Sequence, residues 1–176
     1  MRRASALSTR EMAVFAMLGV IMFISKLLME WAPNIHLLGC FTIVYTLVYR
    51  KKALIPIYVY VFLLGAYYGF ATWWVPYLYI WTVLWGAAML LPRSMPKKWA
   101  VPVYMALCGL HGLCYGILYA PAQALFFGLN FKGMITWIIA GLPYDAVHAL
   151  GNLAAGVLIV PLTELLKKLE KGMAKT

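Results

Sequence analysis

The chain contains few charged residues and very few acidic ones. Of 176 residues, 11% are charged and only five are Asp or Glu, whereas 65% are hydrophobic. The mean hydropathy is +0.84. Soluble domains are about 25% charged, so this composition excludes an ordinary water-soluble domain and is typical of helices that cross a membrane several times.

Motifs of common enzymes and metal sites are also missing. The sequence has no GxSxG nucleophile, no HExxH zinc pair and no Walker A loop. The three cysteines, Cys40, Cys108 and Cys114, lie within apolar runs without CxxC spacing, which indicates small buried side chains. We therefore expect no catalytic activity, no metal and no cofactor.

What is present is a series of apolar runs separated by short turns. Because a span needs about 20 residues, they predict an all-α integral membrane protein with six transmembrane helices in one domain, residues 1–176. The predicted spans are residues 11–29, 36–49, 53–70, 77–91, 101–120 and 143–166. The first run is too long for a signal-peptide core and no cleavage pattern follows it.

Two prolines predict interruptions of the later helices. Pro121 is expected to break or kink span five, which leaves residues 123–132 as a loop or re-entrant piece. The sequence Gly141-Leu142-Pro143 is expected to separate residues 134–140 as a lid or half-helix.

Basic residues fall on one side of this six-span arrangement. Three lie in each of the N-terminal segment, the turn at 50–52 and the loop at 93–98, and four lie in the tail. They are Arg2, Arg3, Arg10, Arg50, Lys51, Lys52, Arg93, Lys97, Lys98, Lys167, Lys168, Lys171 and Lys175. The positive-inside rule places both termini in the cytoplasm, so the net charge of +10 indicates contact with membrane lipid and not with nucleic acid.

The last apolar run carries polar residues that are rare in membrane helices. Asp145, His148 and Asn152 in GLPYDAVHALGNLAAGVLIVP are spaced i, i+3 and i+7, which places them on one face of a helix. An acidic residue inside a bilayer is costly, so it indicates a functional site. A structural ion pair between Asp145 and His148 is the main alternative.

Other polar and aromatic residues are predicted at the same, outer half of the bundle. Residues four apart form stripes on spans four and five. With the outer turns, these candidates are Asn34, His36, Trp74, Tyr77, Trp81, His111, Tyr115, Tyr119 and Gln123. Flat rings with a few hydrogen-bonding groups suit a small planar or heterocyclic ligand. The simpler interpretation is that tryptophans anchor the membrane interface and tyrosines fill the core.

The chain resembles the S components of energy-coupling factor (ECF) transporters, the substrate-capturing membrane subunits of prokaryotic vitamin importers. The resemblance rests on size, on the predicted topology, on the small-residue stripe Ala13, Ala16 and Gly19, and on the ending GLPYDAVHALGNLAAGVLIVPL. The stripe has a spacing of three where that family has AxxxA. No signature of a particular vitamin is present, and the absence of a histidine-rich N-terminus disfavours nickel or cobalt as the cargo.

This resemblance implies a multi-pass protein of the prokaryotic plasma membrane that binds a vitamin-like nutrient from outside. Asp145, His148 and Asn152 would supply hydrogen bonds or charge, and Trp81, Tyr115 and Tyr119 would form the walls. The stripe on span one would dock on a transmembrane coupling subunit, which two ATPase subunits drive.

Two other functions remain open from the residues alone. A stand-alone proton-coupled carrier would use Asp145 and His148 as a proton relay, although no inverted repeat is evident. An intramembrane enzyme would need a nucleophile or a metal set, and the sequence shows neither.

Overall fold

The computed structural model describes residues 7–92 and 94–173, and within these ranges the chain is all-helical without a strand. The all-α prediction is therefore confirmed for the described residues. Eight α-helices follow one another: α1 (Thr9–Leu28), α2 (Leu38–Tyr49), α3 (Leu54–Tyr68), α4 (Tyr77–Leu90), α5 (Lys97–Leu113), α6 (Tyr115–Phe127), α7 (Phe131–Gly156) and α8 (Ile159–Met173). Of the predicted basic residues, Arg2, Arg3, Arg93 and Lys175 lie outside the described residues.

Two helical segments are long and apolar enough to cross a membrane. They are α1 and the nearly continuous α5–α6 segment, Lys97–Phe127, which has 31 residues. A third candidate is α7 together with α8, two helices bent by 49° at a short break. The helices α2, α3 and α4 have 12, 15 and 14 residues. A helix that crosses a membrane without tilt needs about 20 residues, so these three are shorter. The structure thus contains two or three candidate spans, and the six-span arrangement stays a prediction.

The breaks predicted at Pro121 and Pro143 were wrong. Pro121 lies inside α6, so the predicted loop at 123–132 begins as helix and turns only after Phe127. Pro143 lies inside α7, so residues 134–140 are continuous with that helix and form no separate lid. Each proline removes one backbone hydrogen bond, and packing against neighbouring helices preserves the rest of the helix.

The observed interruptions lie at Cys114 and at residues 157–158. The second follows from Pro161 in the first turn of α8, because a proline ring clashes with the carbonyl four residues earlier, here that of Val157. The turn between α6 and α7 has its own signals. Gly128 adopts the left-handed conformation (φ 64°), and the Asn130 side chain accepts a hydrogen bond from the Gly133 N–H at 2.8 Å.

The centre of the bundle is α2, most of whose residues are buried. Around it, α1 packs on α3, and α5 packs on α7. The second contact is close because α5 presents glycines: a methyl group on Gly112 would lie 2.8 Å from Asn152 Nδ2. Small residues allow this approach of two helix backbones.

The described basic segments meet at one end of the bundle. Arg10 pairs with Glu170 at 3.8 Å, Lys97 pairs with Glu164 at 2.8 Å, and Lys52 pairs with Glu11. These ion pairs make four parts of the chain neighbours: the start of α1, the turn before α3, the start of α5, and α8. The same end holds a capping box in which the Ser8 hydroxyl accepts from the Glu11 N–H at 3.1 Å.

Candidate functional site

Trp81 on α4 is the centre of a buried group of rings and is only 1% exposed. Its ring centroid lies 5.6 to 6.4 Å from five other rings, contributed by the loop before α2 and by α3, α4, α5 and α6. A histidine of α7 joins the group through two of those rings, at 4.6 and 4.8 Å. We call these seven residues the Trp81 cluster: His36, Tyr60, Tyr77, Trp81, His111, Tyr115 and His148.

The helices place these side chains through their regular period. Tyr77 and Trp81 are one turn apart on α4, and His111 and Tyr115 are one turn apart on either side of the break at Cys114. Since α5 and α6 form a nearly continuous 31-residue segment, the break leaves both rings on the same side. All three histidines of the chain thus meet around one tryptophan.

Unpartnered polar atoms are concentrated in and beside the Trp81 cluster. Of the ten such side-chain atoms among the described residues, seven lie there: His36 Nδ1, the Tyr60 hydroxyl, Trp81 Nε1, His111 Nδ1, His148 Nε2 and both amide atoms of Asn152. The other three belong to Thr42, Arg50 and Thr163. Folded proteins pair more than about 90% of buried polar groups, and each unpaired group costs about 1–3 kcal/mol. Such a concentration in one place is typical of a polar binding site inside an otherwise apolar core.

The tautomer of His111 follows from its one hydrogen bond. Its Nε2 lies 3.2 Å from the carbonyl oxygen of Ile80. Because a carbonyl only accepts, Nε2 carries the proton and the neutral ring leaves Nδ1 as a hydrogen-bond acceptor. Trp81 Nε1, in contrast, is only a donor.

Asp145 has a different partner from the one expected. Both of its carboxylate oxygens accept from the Gly116 N–H at 3.1 Å, in the first turn of α6. None of the ion pairs of the described residues joins Asp145 to His148. The positive end of the α6 dipole attracts the carboxylate, whereas a separation of three residues along α7 aligns the two side chains without making them meet. Asp145 is thus a cap of α6 supplied by another helix.

Other candidates lie at the edge of the Trp81 cluster or outside it. Tyr119 contacts Tyr115 at 6.1 Å between centroids and donates its hydroxyl hydrogen to the Trp73 carbonyl. Trp74 donates to the Val61 carbonyl at 2.8 Å, which fixes the turn before α4 to α3.

Two further candidates have only a surface or half-buried position. Asn34 is an exposed turn residue with φ 62°. Gln123 is half-buried near the end of α6, two turns beyond Tyr115.

The small-residue stripe on α1 is divided between two environments. Gly19 is buried against α3, where an added methyl group would lie 2.9 Å from the carbonyl oxygen of Pro56. Ala13 and Ala16 are exposed. Only these two are free to contact another protein, and Gly19 belongs to the α1–α3 contact.

Sequence reasoning missed one member of the Trp81 cluster, one aromatic residue beside it and one packing motif. Tyr60 lies in the apolar run of α3 with no polar neighbour to mark it. Trp137 stacks on Tyr119 at 5.8 Å. The segment GLHGLCYG, with glycines at 109, 112 and 116, carried a usable signal, because small residues three and four apart indicate close helix packing.

A cleft of about 430 Å³ adjoins the Trp81 cluster at Tyr77. Its lining residues are Lys26, Glu30, Leu64, Tyr68, Trp73 and Tyr77. It lies at the C-terminal end of α1, at the opposite end of that helix from the basic segments, and Tyr77 is the one cluster member among its lining residues. The described residues contain no group of three or more His, Cys, Asp or Glu placed to hold a metal ion.

Residues 7–92 and 94–173 thus form an all-helical bundle with two or three candidate membrane-spanning segments and a buried polar–aromatic centre. No protein-family model, no curated protein and no solved structure matches the chain.

Proposed function

We propose that this chain is the substrate-capturing membrane subunit of an ECF-type importer. It binds a small aromatic or heterocyclic, vitamin-like nutrient from the outer side and delivers it inward when coupled to an ATPase module. The observation that carries the proposal is the set of unpartnered polar atoms in and beside the Trp81 cluster. A ligand with matching hydrogen-bond groups would satisfy them, and the surrounding rings would stack on it.

In the proposed topology the chain crosses the prokaryotic plasma membrane six times. The basic end, where Arg10, Lys52 and Lys97 form ion pairs, faces the cytoplasm and anionic lipid. The cleft at Tyr77 then opens outward and gives the nutrient a path to the Trp81 cluster. The short helices α2 to α4 are compatible with crossing where neighbouring helices and local thinning of the bilayer accommodate them.

The proposed partners are a transmembrane coupling subunit and two ATPase subunits. Ala13 and Ala16 are exposed small residues on α1 and offer a surface where a partner helix can approach closely. The energy would come from those ATPases, since the chain carries no Walker A loop.

A stand-alone proton-coupled carrier is the weaker candidate. It would need Asp145 and His148 to exchange a proton, yet the carboxylate accepts from the Gly116 N–H and no ion pair of the described residues joins it to His148. No contact of the described residues favours this relay over nutrient capture.

The experiment that tests the proposal is gentle purification from native membranes, followed by mass spectrometry of proteins and small molecules. We expect a coupling subunit, two ATPases and a retained heterocycle. Trp81→Phe should reduce the retained compound, whereas Trp99→Phe, at a tryptophan that is 60% exposed at the basic end, should not. Recovery of the chain without partner proteins and without any compound would refute the proposal.

A further inference from the structure

We infer that the compound bound by the Trp81 cluster is an uncharged heteroaromatic molecule whose ring edge both donates and accepts hydrogen bonds. This inference rests on the proposed function and specifies the class of nutrient at that same site. It follows from three properties of the described residues: the absence of a free charge at the cluster, the types of unpartnered atoms, and the spacing of the rings.

The seven residues of the Trp81 cluster include no Lys, Arg, Asp or Glu. The charged residue nearest to it along α7 is Asp145, which lies outside the cluster with its carboxylate 3.1 Å from the Gly116 nitrogen of α6. At the cleft, Lys26 and Glu30 lie 4.0 Å apart and compensate each other. Burying an ion without a partner of opposite charge costs far more than burying a neutral polar group.

The histidines do not readily supply the missing positive charge. The rings of His36 and His148 lie 4.6 Å apart between centroids. Protonating either ring would bury a charge without a carboxylate partner, and protonating both would add the repulsion of two like charges side by side. His111 already donates through Nε2 to a backbone carbonyl, which a neutral ring does equally well.

The unpartnered atoms require both hydrogen-bond roles from the ligand. Trp81 Nε1 can only donate, so the ligand must present an acceptor to it. Neutral His111 leaves Nδ1 as an acceptor, so the ligand must also present a donor. Asn152 has a free carbonyl oxygen and a free amide NH₂, the pair that binds an adjacent N–H and C=O, as in a lactam.

The rings restrict the shape of the compound. Tyr115 lies 4.8 Å from His148 and 6.4 Å from Trp81 between centroids, so the unpartnered polar atoms lie among closely packed aromatic rings. Aromatic pairs have their favourable separations at about 4.5–7 Å, and a planar ring would extend this network. A flexible aliphatic compound would leave most of those faces without an aromatic partner.

The test uses the purified full-length chain in detergent and small water-soluble molecules from a prokaryotic cell extract. Ion exchange first separates the extract into neutral, anionic and cationic pools, and the thermal unfolding midpoint is measured with each pool. We expect only the neutral pool to raise the midpoint. In a dilution series, Trp81→Phe should need about three- to tenfold more neutral pool for half of the effect, as for one lost hydrogen bond. Asn152→Leu should need about ten- to hundredfold more, as for two lost hydrogen bonds. Trp99→Phe, at an exposed position, should respond like the unchanged chain.

Each other outcome refutes a defined part of the reasoning. Stabilisation by the anionic or cationic pool would overturn the uncharged class and leave nutrient capture standing. Equal stabilisation of the unchanged chain and both cluster variants by the neutral pool would overturn the assignment of the ligand to these side chains. If no pool stabilises the chain, both the inference and the proposed function are overturned.

Discussion

The contact between Asp145 and Gly116 makes a prediction about how two helices depend on each other. Both carboxylate oxygens lie 3.1 Å from the Gly116 nitrogen, and a methyl group on Gly116 would overlap the carboxylate. We therefore expect Gly116→Ala to destabilise the protein as long as Asp145 is present. In the background of Asp145→Ala, the same methyl group has room.

The magnitude follows from two opposing contributions. Forcing a methyl group into a packed contact costs about 1–3 kcal/mol. Replacing glycine by alanine inside a helix stabilises it by about 0.5–1 kcal/mol. Gly116→Ala should thus lower the free energy of unfolding by up to about 2.5 kcal/mol alone, and raise it by about 0.5–1 kcal/mol beside Asp145→Ala. The coupling energy between the two changes is then about 1–3 kcal/mol.

The assay is a double-mutant cycle on the free energy of unfolding in mixed micelles, followed by far-UV circular dichroism as denaturing detergent is added. Gly141→Ala is the matched control, because a methyl group at that position of α7 meets nothing within 4 Å. It should be neutral or stabilising in both backgrounds. If Gly116→Ala has the same effect with and without Asp145, within about 0.5 kcal/mol, the cap described above is refuted.

Three further predictions concern the frame around the site. Gly69→Ala should lower the free energy of unfolding by about 1–2 kcal/mol, because φ is 89° at this position. Gly86→Ala should not, because a methyl group there meets no neighbouring atom within 4 Å. Equal thermal unfolding midpoints of the two variants would contradict this. Pro161→Ala should reduce the 49° bend between α7 and α8. Distances between spin labels on either side of residues 157–158 should then lengthen. Unchanged distances would show that Pro161 does not cause the bend. Lys52→Met should lower the free energy of unfolding by less than about 1 kcal/mol, because the ion pair of Lys52 with Glu11 is partly exposed and screened by solvent. A loss of several kcal/mol in the same unfolding assay would contradict this.

Much of the candidate site could be predicted from the sequence because helical spacing is local. Residues four apart share a helix face whatever the rest of the chain does, so Tyr77 with Trp81 and His111 with Tyr115 emerged as stripes. The buried position of His148 and Asn152 is likewise readable, since polar residues in an apolar run turn toward the bundle interior. The ligand and the partner subunits remain proposals, since no contact within this chain involves them.

Helix boundaries were predicted less well, and the reason is energetic. A proline removes one hydrogen bond, a loss that packing offsets at Pro121 and Pro143 but not at Pro161. The sequence alone contains no measure of that packing. The predicted lid at 134–140 is consequently part of α7, and the interruption lies beyond Gly156.

By itself, the sequence determined an apolar, all-helical chain, a concentration of basic residues in four segments and two aromatic stripes, because composition and period are properties of neighbouring residues. Only the tertiary structure decided which groups meet. It brought Tyr60 into contact with Trp81, assigned the Asp145 carboxylate to the Gly116 N–H instead of His148, and buried Gly19 against α3. These pairings depend on how closely helices distant in sequence approach, and that distance is set by side-chain packing across the whole bundle.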